Sequence, residues 1–227
     1  MKEERTQKIM ETTIKTYQYF FIKREIEQLL NVYHSVNDKK TVATVQALAK
    51  ERINEVVEND PQVIALVEPF VKQVMDTNLK KEKATELLER LKEHVAPFKQ
   101  PSKIQVEKIF RKVKKLKHPD WQTLDLKEHT YVGWNDPGTH KKYLLYYADE
   151  RLQGVHGTLS PTIIKGVCAI CHKTSSVSMF LSTTKSGSDG TYTKKGNYIC
   201  HDSDQCNQQL VKLAPFYEFT DIVKKEK

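Results

Sequence analysis

The sequence predicts an α+β protein in two parts: an antiparallel four-helix bundle over residues 1–100, then a mixed α/β domain over 101–227. Three observations lead there. Apolar side chains return every three or four positions through the first hundred residues, and the first glycine is Gly133, as long uninterrupted helices require. After Pro119 the apolar period shortens to two, the mark of strands. All four cysteines lie in the last third, in two close pairs, so the second part is built around something the first lacks. A chain of 227 residues is long enough for two separate cores.

The helices follow in order. From Tyr17, the residues Phe20, Phe21, Ile26, Leu29, Leu30, Tyr33 and Val36 trace one helical face. Asn37-Asp38 interrupts it, and a second helix runs through Val42, Val45, Leu48, Ile53 and Val57. Asn59-Asp60-Pro61 pairs a cap with a proline in the first turn, a start signal. The third helix then carries Val63, Val67, Phe70, Val71 and Val74. Thr77-Asn78 offers a cap for a fourth, lined by Leu79, Leu87, Leu88, Leu91 and Val95.

Pro97 and Pro101 end the bundle. Ser102 with Gln105 makes a capping box, and the helix it opens is expected to reach about Lys117. Ile109, Phe110, Val113 and Leu116 face one way, and Arg111, Lys112, Lys114, Lys115 and Lys117 the other. That basic face is either a phosphate contact or the solvated side of an apolar stripe. Strands are expected at 130–134, 142–147, 154–159, 162–167, 177–182 and 191–200, with a turn at Asn135–Gly138 and a Gly/Ser connection at 186–190. A closing helix or helix pair carries Leu210, Leu213, Phe216, Phe219 and Val223.

Cys168 and Cys171 have two residues between them; Cys200 and Cys206 have five. Two tight turns can present four thiolates to one ion and close a tetrahedron, so the set reads as a structural zinc site. A knuckle, a hairpin and a pair at a strand-to-helix junction describe a treble-clef-like finger, although the second gap is longer than the usual two. The start MKEERTQKIMETT mixes acids and bases with no apolar run behind it, so it is not a secretory signal. A cytoplasmic location follows, where thiols stay reduced and disulfides are disfavoured. His172 and His201 each follow a cysteine, but four sulfurs already complete the shell.

The sequence has no long apolar run and a mean hydropathy of −0.61, so no membrane span is expected. It also lacks a phosphate-binding glycine loop, a GxSxG and an HExxH. His156 has no acid or nucleophile at a telling spacing, and an enzyme is not expected. What remains is binding. The net charge of +8 is concentrated after residue 100, which carries +7 of it, and this suggests an acidic partner. Tyr192, Lys194, Lys195, Gly196 and Tyr198 interleave aromatic and basic side chains just before Cys200, suiting protein or RNA contact. The plainer reading packs Tyr198 into the finger.

Several segments together resemble the FusB-type family of elongation-factor-G-binding proteins, known for fusidic acid resistance. They are NVYHSVNDKKTV, KIFRKVKKLKHP, YVGWND with KYLLYY, GTLSPTIIKGVCAIC, SDGTYTKKGNYICHDSDQCNQQL and FYEF. The likeness spans nearly the whole chain from Tyr17 and leaves the first sixteen residues as an N-terminal addition. It implies a helical bundle followed by a zinc domain that binds elongation factor G and promotes its release from fusidic-acid-stalled ribosomes. It implies that Cys168, Cys171, Cys200 and Cys206 hold one structural zinc, and that Lys195, Tyr198 and Phe219 match partner-contact positions, with Lys194 beside them. A further contact position, a phenylalanine in the family, is Val167 here. The alternative is a ribosome- or RNA-binding zinc module using the basic helix 102–117.

Overall fold

The computed structural model describes residues 13–186 and 190–224. It divides into two compact units, one ending at Ala96 and the other beginning at Pro97. Residues 187–189, the middle of the expected Gly/Ser connection, lie outside the described residues.

Among its described residues the first unit holds four helices: α1 (Thr16–Ser35), α2 (Lys39–Val56), α3 (Pro61–Val74) and α4 (Lys81–Lys92). Asp38 caps α2 by accepting from the Lys40 and Thr41 amides, and Asp60 caps α3 through Gln62 and Val63. Ile22, Ile26, Leu29, Ile53, Val74, Leu87 and Leu91 form the dry centre. Side chains of α1 and α2 close open helix ends: Gln18 Nε2 donates to Val56 O at 2.9 Å, Tyr33 Oη to Val74 O at 2.9 Å and Gln46 Nε2 to Met75 O at 2.7 Å. These bonds satisfy carbonyls that have no partner within the helix.

Two expectations are corrected here. Thr77-Asn78 does not cap α4, whose cap position is Lys80 without a side-chain bond; the Asn78 amide instead donates to Asp76 Oδ1, so the polar pair forms a local turn. And the segment before Tyr17 is not wholly an addition. Ile14 is fully buried, and its backbone pairs with the Val95 region, its N–H donating to His94 O and its carbonyl accepting from Ala96.

The second unit is an antiparallel sheet with helices over it. Its strands are β1 (Val132–Asp136), β2 (Lys141–Ala148), β3 (Arg151–Leu159), β4 (Ile164–Val167), β5 (Thr174–Ser186) and β6 (Tyr192–Cys200). The order is β1-β2-β3-β5-β4, with β6 on the other side of β5. β2 is buried almost throughout because both faces are covered. Tyr143 and Leu145 meet Val106 and Phe110, whereas Leu144 and Tyr146 meet the cysteines and the last helix. The β2–β3 turn uses Asp149 and Glu150, both at positive φ, the geometry of a two-residue hairpin that fits strand twist.

α5 (Lys103–Ile109) opens at the expected Ser102–Gln105 capping box, but it stops eight residues short of Lys117. Beyond it Phe110 drops onto the sheet, Lys115 adopts φ 53° and Lys117 O accepts from Trp134 Nε1 at 2.8 Å. Continuing the helix would stack like charges at spacings of three and four and lift these apolar anchors off the sheet. Gly154 permits the descent, since a Cβ there would lie 2.6 Å from the Phe110 ring. The basic residues therefore form a turn rather than one helical face. The unit closes with α6 (Ser203–Gln209) and α7 (Ala214–Val223).

Candidate metal centre and adjoining groove

Cys168 and Cys171 sit on a knuckle between β4 and β5. Its backbone closes on itself: the Cys168 amide donates to Lys173 O, and the His172 amide, at φ 54°, donates to Cys168 O. Cys200 ends β6, and Cys206 lies in α6, which Asp202 caps through the Asp204 and Gln205 amides. The five residues between the second pair thus contain the Asp202 cap and the first turn of α6, directly after the strand end at Cys200. That explains the departure from the shorter gap.

All four sulfurs are buried and lie within 4.8 Å of one another. Cys168 and Cys206 are 3.8 Å apart, and Cys171 and Cys200 are 3.7 Å apart. A tetrahedron with zinc–sulfur bonds of about 2.3 Å has edges of about 3.8 Å, whereas a disulfide would draw a pair to about 2 Å. Four thiols this close cannot all ionise unaided: hydrogen bonds from Cys171, Cys200 and Cys206 push Cys168 down, and hydrogen bonding to Cys168 first, with burial and its charge adding less, pushes Cys171 and Cys206 up. A divalent cation reverses that penalty for all four. The donors around the sulfurs suit thiolates as well. The Ile170 and Cys200 amides both donate to Cys168 Sγ at 3.3 Å, and the buried Tyr131 hydroxyl is hydrogen-bonded to Cys206. The cysteines form a structural zinc site with no position left for substrate. When bound, the ion supplies cross-linking and charge, and the chain's own residues supply shape.

α6 is clasped from the other side. Asn207 Oδ1 accepts from the Thr130 and Tyr131 amides at 2.8 and 3.2 Å, and its Nδ2 donates to Tyr131 O at 2.9 Å. The Ala169 amide donates to Tyr198 O at 2.9 Å, stitching the first knuckle to β6. Neither histidine beside a cysteine joins the cluster. His172 is exposed, and His201 Nδ1 lies 3.0 Å from Ser178 Oγ, its basicity lowered by burial and then by the charge of Lys142.

The expected contact residues take different places. Val167 is exposed at 63% and Tyr198 at 36%. Lys194 shares a face of β6 with Tyr198 and lies over the Tyr192 ring at 5.2 Å. Lys195, an odd step away, points to the opposite face of that strand. Phe219 is buried, its ring packed on Phe180 at 5.7 Å. Phe219 still reaches a surface, because it lines a groove of about 420 Å³ with Val167, Ala169, Gly196, Pro215 and Ile222. Ile222, exposed at 54%, is absent from the sequence-based set. Its signal was available: Phe216, Phe219 and Val223 make the inward stripe of α7, and Ile222 is an isoleucine outside it.

A helical unit followed by a sheet folded around a tetracysteine cluster defines a two-unit protein of the structural-zinc class. The comparisons make this specific. Residues 13–99 match the family model described as elongation factor G-binding protein, N-terminal, and residues 102–219 match the FBP C-terminal treble-clef zinc-finger. The solved structure of the fusidic acid resistance protein FusC is similar at a TM-score of 0.86 and 40% identity, covering 95% of this chain and 100% of that one. No curated protein sequence matches. The chain belongs to the family of elongation factor G-binding proteins to which these two models refer. The family match begins at residue 13, consistent with the buried pairing of Ile14.

Proposed function

We propose that this protein binds elongation factor G through its zinc-built domain, residues 101–227, and promotes release of the factor from ribosomes stalled by fusidic acid, in the cytoplasm and without chemistry of its own. One observation carries the reading: Val167, Ile222 and the Phe219 edge give an exposed groove against the first zinc knuckle an apolar strip, with His172, Asn197 and Glu218 as its polar lining, and Tyr198 and Lys194 lie on the adjoining strand. Apolar anchors in a groove with lysines nearby suit an apolar protrusion on an acidic partner surface. Val167 stands where the resemblance implies an aromatic anchor, and Ile222 opposite it supplies apolar area that partly compensates. Binding alone can drive release only if the protein favours the releasing conformation of the factor over the trapped one. The ribosome is then affected indirectly, through the factor.

The test is titration calorimetry with purified elongation factor G. Ile222→Asp and Tyr198→Ala should each weaken binding about tenfold or more. Ile104→Ser, at an exposed residue of α5 away from the groove, should leave it within about twofold. Equal affinity for all three would remove the groove from the interface. Pull-down from lysate separates the RNA reading: capture of RNA alone, lost as salt rises, would favour the exposed Arg111–Lys115 turn as the contact.

A further inference from the structure

We infer that Lys142 is the resident counter-cation of the zinc tetrathiolate, and that its positive charge sets how tightly the metal is held. Four thiolates and one Zn²⁺ leave a net charge of −2 in a buried site, which is costly without an opposite charge close by. Lys142 is the one lysine or arginine among the described residues that is buried, at 1% exposure. It lies on β2 opposite Asn135 of β1. Its Nζ donates to Asn135 Oδ1 at 3.0 Å and to His201 O at 2.8 Å, and Asn135 Nδ2 donates to the same carbonyl at 3.1 Å. His201 follows Cys200 and precedes Asp202, the cap of the helix that carries Cys206. The ammonium is thus tied to the backbone that joins the two ligands of the irregular second pair.

Cys206, Asp202, Cys200 and Cys168 act on Lys142 as negative groups, and the His201 imidazole is the titratable neighbour whose protonation it disfavours. Burial pulls the Lys142 pKa down to about 8, and the four negative groups oppose the pull, so the side chain is charged at neutral pH. A lysine serving only as a strut would leave a hydrogen bond that a neutral donor could replace. A counter-cation cannot be replaced that way, and this difference separates the two roles.

The experiment compares Lys142→Met, Lys142→Gln and Asn135→Ala at neutral pH in the full chain. Zinc affinity is read by competition with a chromogenic chelator, and the Fe³⁺/Fe²⁺ potential is read on the iron-substituted centre. Gln keeps an N–H donor but no charge. Asn135→Ala removes two hydrogen bonds of the triangle and leaves the ammonium. The expected result is zinc binding weakened at least about tenfold in both Lys142 variants, with a lowered iron potential in both, and less than about threefold change with an unmoved potential in Asn135→Ala. Wild-type affinity in Lys142→Gln, an unchanged potential in both Lys142 variants, or equal effects in Asn135→Ala would overturn the assignment. If Lys142→Met fails to fold, Lys142→Gln alone decides between the two.

Discussion

At Cys206 the sulfur is presented by a helix that Asp202 caps, Asn207 clasps to residues 130–131 and Tyr131 hydrogen-bonds from below. The ligand itself is legible in the sequence, because four soft sulfurs in two close pairs match the spacing of a tetrahedral metal site. The supports are not. Lys142 and Tyr131 lie some sixty to seventy-five residues away along the chain, joined to the site only through sheet topology. Phe219 shows the converse: the resemblance marks it as a contact, and packing against Phe180 buries most of it, leaving an edge to the groove. Cys200→Ser should therefore act through folding. Metal binding supplies folding free energy to such a site, so the variant should bind almost no zinc by mass spectrometry and lose the cooperative melting of the second unit. Helical circular dichroism from the first unit should persist. Retained zinc with normal melting would contradict the ligand assignment.

Among the elements, the helices of the first unit are readable because each has a period of 3.6 and two of them start at an aspartate cap, Asp38 and Asp60. Sequence reasoning fails where tertiary packing overrides local preference. The helix from Ser102 ends at Ile109 because Phe110 and Trp134 draw the chain onto the sheet, and no local signal announces that. The β2–β3 turn is equally silent, since Asp149-Glu150 carries no glycine or asparagine. β6 rests on one residue. Gly196 lies opposite Leu181, and a Cβ there would come 1.8 Å from Phe180 O, a backbone clash that no rotamer relieves. Gly196→Ala should cost about 2–3 kcal/mol in urea denaturation, whereas Gly138→Ala, where the nearest atom would be 3.5 Å away, should cost far less. Equal midpoints would mean that β6 can shift without loss.

For the whole molecule, the α+β class and the order of a helical unit before a zinc unit can be read from the switch of period and the place of the cysteines. The groove cannot, because it is assembled from β4, β6 and α7 and from neighbours far apart in sequence. A bound zinc would tie these pieces together: the first knuckle is already stitched to Tyr198 by a backbone hydrogen bond, and the second cysteine pair joins β6 to α6. On the proposed function the metal is a scaffold, and binding falls to the surface it would hold in place. Among the described residues no helix is long and apolar enough to cross a membrane. The most direct test of the account is in vitro translation inhibited by fusidic acid, with wild-type protein or Ile222→Asp added at equal concentration and equal zinc content. The account predicts that wild type restores synthesis and that Ile222→Asp needs about ten times more protein to do so. No rescue by wild type, or equal rescue by both, would contradict it.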